Sequence, residues 1–189
     1  YSGSGWQPEP TNHVLNFSAT AITYNQIDLS WTENDGSQPP QGYLVKASIG
    51  YVNDPTDSYE PPADADLSDG EGVITVNYGI SSFSFTTCNP LTTYNFKIYP
   101  FTGSGNLTNY KLDGDIPEYS TTTPSDIFEP TPGDLLITEV VGKDATIYEF
   151  SGFIEFTNIT EHKISLSNVT VRYYDGSSTP TATFALSGI

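Results

Sequence analysis

Residues 86–102 constrain this chain more than any other stretch. Asn89-Pro90 marks a turn, Leu91 follows it, and Tyr94, Phe96 and Ile98 then fall at every second position. Alternation after a proline turn predicts a strand with one buried face. A tyrosine at the start of such a strand suits a corner, its ring packed inward and its hydroxyl bonded to nearby backbone. Composition agrees with strands. Fourteen Pro and 16 Gly among 189 residues, with many Ser and Thr, favour turns and short strands over helices. The 10 Phe, 13 Tyr and 2 Trp supply large buried areas in a chain that is 36% hydrophobic. No window of about 11 residues carries helical periodicity. The predicted fold class is all-β, in one or two domains.

Twenty-three acidic residues against 6 basic ones give a net charge of −17. That charge repels a nucleic-acid backbone, and no basic patch is present to release counterions. It also disfavours an anionic membrane surface, and no segment approaches the roughly 18 apolar residues of a span. The acid serves solubility, with a subset of carboxylates free to bind divalent cations. Cys88 is the only cysteine, so no internal disulfide forms, and its place before the proline turn reads as a structural thiol. The chain begins at Tyr1 without a signal-peptide pattern and reads as an excised piece, a processed product or the ordered part of something longer.

Residues 1–11, which include Trp6, read as a flexible leader. Strand patterns follow at Val14 to Ala21, at Ile27, Leu29 and Trp31, and at Gly42 to Ser48. Phe83 and Phe85 mark another, and Glu118 to Thr123 one more. Between Asp54 and Tyr78 lies a long insertion whose end, Val73 to Tyr78, alternates like an edge strand. The inward Trp31 and the Leu91-x-x-Tyr94-x-Phe96-x-Ile98 run resemble the fibronectin type III pattern over residues 12–124. Trp31, Leu91, Tyr94 and Phe96 are the structural residues this resemblance implies. Asp69-Gly70, Val76-Asn77-Tyr78-Gly79 and Asn109-Tyr110-Lys111-Leu112-Asp113-Gly114 resemble a subtype found beside secreted nucleases and surface proteins of Bacteroidetes.

A Pro-rich linker, residues 125–132, separates this from a second pattern over 133–189. Leu136-Ile137-Thr138-Glu139-Val140, Phe153-Ile154-Glu155-Phe156-Thr157-Asn158 and Ile164-Ser165-Leu166-Ser167-Asn168 resemble the lamin-tail domain, an immunoglobulin-like sandwich. Ser151-Gly152 departs from that pattern by separating Glu149-Phe150 from the strand core. The pattern stops after Phe184-Ala185-Leu186-Ser187-Gly188, short of the family's last strands. The resemblances imply two immunoglobulin-like β-sandwiches in tandem, the second truncated. Such a truncation would leave apolar faces and an unpaired sheet edge, to be completed by further residues or by a partner strand. Glu139 and Glu155, set in apolar strands, are either edge charges against aggregation or polar anchors for that missing strand.

Candidate chemistry is sparse. His13 and His162 stand apart from any nucleophile elbow, and no zinc, phosphate-loop or dinucleotide spacing is present. No catalytic residue and no cofactor site is assigned. Asp64, Asp66, Asp69 and Glu71 are the one metal candidate, since oxygen ligands at alternate positions around Gly70 suit calcium, with Asp54 and Asp57 as further ligands. Tyr99, Phe101, Tyr173 and Tyr174 fall at outward positions where a sugar could stack. Asn16, Asn106, Asn158 and Asn168 open N-glycosylation acceptor triplets. The reading is a non-catalytic extracellular or cell-surface module that spaces, presents or assembles by strand complementation between copies. Its partners would be other protein domains, copies of itself, or surface glycans, without nucleic acid or membrane insertion. The alternatives are an accessory region of a larger secreted enzyme such as a nuclease, or a carbohydrate- or calcium-binding module.

Overall fold

The computed structural model describes residues 7–141, 153–174, 176, 178–180 and 182–187. Trp6, most of the expected leader, Glu149 to Gly152 and Gly188 lie outside the described residues. The described residues contain strands, one 3-10 turn at Gly105–Leu107 and no α-helix. The chain divides into two compact units, one ending at Ser125 and one starting at Asp126.

In the first unit, β1 (Leu15–Thr23), β2 (Gln26–Thr32) and β5 (Ser82–Phe85) form one antiparallel sheet in the order β1-β2-β5. The second sheet is built on β3 (Gly42–Ser48), flanked by β4 (Glu71–Asn77) and β6 (Thr93–Thr102). The long β6 has two further partners. Its end pairs with β7 (Asn109–Tyr110), and its start pairs with β8 (Glu118–Thr122). The core lies between the sheets. Ile27, Leu29 and Trp31 of β2 meet Tyr43, Val45, Phe96 and Ile98 of the facing strands. Trp31 and Tyr43 pack edge to face at 5.7 Å, and Phe85 lies 5.9 Å from Phe96. Ile27, Leu29, Trp31, Phe96 and Ile98 stand at the inward positions that alternation assigns.

Leu91 differs from expectation. Its side chain is 69% exposed. The backbone turns there with φ of 52°, and its N–H donates to the Pro124 carbonyl at 3.2 Å. Leu91 therefore serves the turn through its backbone, and the core position passes to Tyr94.

The residues just inside the expected leader are held. Pro8 and Gln7 carbonyls accept hydrogen bonds from Thr102 Oγ1 at 2.8 Å and Asn109 Nδ2 at 2.9 Å. Glu9 pairs with Lys111, and Pro10 is buried. Backbone acceptors with fixed donors leave this segment little freedom.

The second unit is built of two-stranded pieces. The segment expected as linker contributes β9 (Ile127–Phe128). Strand β10 (Leu135–Val141) pairs antiparallel with β11 (Phe153–Asn158). Strand β12 (Lys163–Ile164) pairs parallel with β9, and β13 (Thr170–Tyr173) pairs with β14 (Ala182–Ala185). After Ser125, Ile164 is the only buried hydrophobic side chain among the described residues.

Residues 7–125 should therefore fold alone as one cooperative unit, read by urea unfolding. Loss of cooperativity in that fragment would contradict an independent first core. In the same assay Leu67→Ala should cost about 2–5 kcal/mol, since Leu67 is fully buried in that core.

Candidate functional site

Every residue of β3 except Lys46 is buried, so both faces of this strand are covered. The inner face meets the other sheet. The outer face carries a second apolar cluster of Leu44, Tyr99, Phe101 and Tyr110, with Val73, Leu112 and Ile116 packed against it. Much of the covering comes from the long insertion. Its residues 53–67 run as a strap whose acids bond to groups of β6 and the turn beyond it.

Asp54 Oδ1 accepts from the Tyr99 hydroxyl at 2.7 Å and from Lys97 Nζ at 3.1 Å. Asp57 Oδ1 accepts the Tyr110 N–H at 2.8 Å. Glu60 Oε1 accepts the Gly105 N–H at 2.8 Å and the Thr108 hydroxyl at 3.0 Å. The Tyr110 hydroxyl donates to the Tyr59 carbonyl at 3.1 Å. The strap then meets the free edge of β4, where Asp64 and Val73 exchange backbone hydrogen bonds.

The strap ends in the main core. Leu67 is fully buried, and its carbonyl accepts from the Tyr94 hydroxyl at 3.0 Å. The same hydroxyl accepts the Asn89 N–H at 2.9 Å. Gly72 makes the approach feasible, because a Cβ there would stand 2.5 Å from Leu67 Cδ2. The tyrosine corner thus ties β6 to the end of the strap.

Three of the calcium candidates bond their own backbone through one oxygen each. Asp64 Oδ1 accepts the Asp66 N–H at 3.0 Å, Asp66 Oδ1 the Ser68 N–H at 2.9 Å, and Asp69 Oδ1 the Glu71 N–H at 3.1 Å. Three side chains in a row close turns on their own backbone. Hydrogen bonds from Ser68 and then Thr87 hold the Asp66 carboxyl below its usual range. Among the described residues no three His, Cys, Asp or Glu side chains gather as a metal would require. Asp54 and Asp57, proposed as further ligands, bind the outer face instead.

The outward aromatics part company. Tyr99 and Phe101 do sit on the outer face, yet both are buried and offer no stacking platform. Tyr174 is exposed, and nothing is described of the Tyr173 side chain. An open groove remains beside the strap, lined by Tyr51, Asn95, Lys97, Glu118 and Ser120. Its cation is already engaged, since Lys97 Nζ bonds Asp54 and lies 4.9 Å from the Tyr51 ring centre. Burial works against the Lys97 charge, but Asp54 and Tyr51 outweigh it and raise its pKa.

No acid–base or nucleophilic set emerges from the other candidates. Burial pushes the Cys88 thiol up to about 11, so it stays protonated at neutral pH. His13 Nε2 contacts the Asp113 carbonyl at 2.7 Å, and His162 stacks on Phe128 at 4.8 Å. Burial raises Tyr110 to about 12, with Glu60 and Asp57 adding to it. Among the described residues no helix is long and apolar enough to cross a membrane.

Two experiments probe the strap. Tyr94→Phe leaves the Leu67 carbonyl without its donor and should cost about 1–3 kcal/mol in urea unfolding. Unchanged stability would remove the corner from this account. The second concerns pH. The Tyr99 hydroxyl first, then Lys97, hold the Asp54 carboxyl below its ordinary value, with burial opposing them. A depressed folded pKa means the stabilisation is present above the unfolded value and is lost as pH falls through the folded one. Acidification below about pH 4 should therefore lower hydrogen-exchange protection factors in the strap before those of the main core. Asp54→Asn should abolish the part of this step that depends on Lys97.

A family model described as the fibronectin type III domain matches residues 8–123. Among solved structures, a computationally redesigned β-sandwich protein is 24% identical, with a TM-score of 0.41, covering 60% of this chain and 96% of that one. The FN5 domain of Drosophila Lar is 21% identical, with a TM-score of 0.38, covering 61% and 98%. The fn3 domain of human contactin 1 is 14% identical, with a TM-score of 0.43, covering 70% and 94%. No curated protein matches the chain. With a family model spanning residues 8–123, the chain belongs to the fibronectin type III domain family.

Proposed function

We propose that the chain is a non-catalytic structural and adhesion module, acting outside the cell, which spaces its neighbours and offers a sheet edge to another polypeptide. Fibronectin type III domains are generally extracellular or adhesion-type modules and are typically non-catalytic. The first unit supports the spacing role. Its core is self-contained, and the strap shields the β4 edge at Val73.

The second unit carries the docking role. By register, Leu135, Ile137, Val140, Ile154 and Phe156 share one face of the β10–β11 ribbon, with Asn158 at its end. Ile137, Val140 and Ile154 are exposed, Val140 by 64%. An isolated two-stranded ribbon is marginal in water, and a third strand over such a face is what stabilises it. Addition of a partner strand supplies main-chain hydrogen bonds for affinity and side-chain contacts for specificity.

The test is hydrogen exchange on the full chain with a neutral, strand-forming heptapeptide of alternating Val and Thr. Slowed exchange of β11 amides is the expected outcome, with Ile154→Asp removing it. A ribbon left unprotected by strand-forming peptides of any charge would end the docking reading.

A further inference from the structure

The unpaired ribbon has two unlike faces. Opposite the apolar face, the register puts Leu136, Glu139, Phe153, Glu155 and Thr157 together. Glu139 and Glu155 are direct cross-strand neighbours, and like charges so placed destabilise a ribbon. Thr138 Oγ1 donates to Glu155 Oε1 at 2.5 Å. Neither carboxylate meets a Lys or Arg among the described residues.

The two edges also differ. Strand β10 is interrupted at Thr138 by a register shift, which breaks a regular hydrogen-bonding edge. Strand β11 runs six residues without one and pairs only with β10 among the described residues. The regular edge is the one a new strand can follow.

We infer that the strand received at the β11 edge alternates apolar residues with lysine or arginine. This rests on the docking reading above. An added strand points successive side chains to opposite faces. Its apolar residues would extend the face of Ile154 and Phe156. Its cations would fall beside Glu155, with Glu139 one strand further in, and would offset the repulsion between the two carboxylates. A second copy suits this edge poorly, because the chain carries 23 acidic and only 6 basic residues. The occupant is therefore a basic-apolar strand other than a second copy of these residues.

The full chain would be titrated by calorimetry with two heptapeptides, Val-Lys-Val-Lys-Val-Lys-Val and Val-Thr-Val-Thr-Val-Thr-Val. The lysine peptide should bind about tenfold more tightly, and less so as salt rises. The double variant Glu139→Gln/Glu155→Gln should erase that advantage. Asp115→Asn/Glu118→Gln removes the same charge from exposed positions of the first unit and should leave it intact. Equal binding of both peptides would overturn the inference while the docking reading stands. Equal loss in the two double variants would reduce it to net charge and overturn it as well. Binding of neither peptide would sink the inference together with the reading beneath it.

Discussion

The first unit depends on where the Tyr94 hydroxyl finds its partners. A phenol enclosed in an apolar core has given up its water, and leaving it unpaired costs about 1–3 kcal/mol. Here it donates to the Leu67 carbonyl and accepts from the Asn89 N–H. One partner ends the strap, and the other opens the turn into β6. A ring fixed in the core therefore dictates where the strap must finish. From that fixed end, the carboxylates of Asp54, Asp57 and Glu60 reach the outer-face groups that they cap. Burial of the outer cluster follows from the corner rather than from the cluster alone. Ordering a strap costs about 1–2 kcal/mol per residue, so a few buried rings would not hold it without these anchors.

Much of this was legible because one buried face per strand imposes alternation. Gly42 to Ser48 is a strand with the bounds its pattern gives, and the inward positions Ile27, Leu29, Trp31, Tyr94, Phe96 and Ile98 all lie in the core. The outer face escaped the same logic. Alternation tells which side Tyr99 and Phe101 point to, but not whether another segment lies over that side. The acids of the insertion suggested ligands or solvated charge, since local sequence shows neither Tyr99 nor the Gly105 N–H. Asp54, Asp57 and Glu60 recur every third residue, but the turn at Asp57 and Ser58, with φ of 64° at Ser58, breaks any helical repeat that could have signalled a shared edge. The loop at Asp64 to Glu71 has two readings in the sequence. Alternate aspartates also suit turns that close on their own backbone, and a ligand list cannot tell the two apart.

Charge is distributed with equal economy. The first unit holds three lysines, and each is engaged. Lys46 Nζ donates to the Asn53 carbonyl at 2.6 Å, Lys97 binds Asp54, and Lys111 pairs with Glu9 and Asp113. Two of these fasten the start of the strap, and the third fastens the segment entering β1. The cations thus act as internal fasteners, while exposed carboxylates dominate the remaining surface. Such a surface repels polyanions and further copies of itself at low salt.

The second unit inverts that logic, and the irregularity at Thr138 shows how. With unbroken alternation, Glu139 would share the face of Ile137, in the middle of an apolar stripe. The register shift moves Glu139 across, opposite Glu155, and leaves Val140 beside Ile154. One residue of bulge therefore sorts the ribbon into a face free of charge and a face carrying both glutamates. Sorting of this kind has no use in a ribbon with water on both sides, where a glutamate among the apolar residues would only aid solubility. It matters once the apolar face is covered, because an enclosed carboxylate without a partner costs far more than an exposed one. The strands are thus patterned for a layered environment that the described residues of this unit do not supply. If a strand docks as proposed, the two unlike faces call for one that is apolar on one side and hospitable to carboxylates on the other.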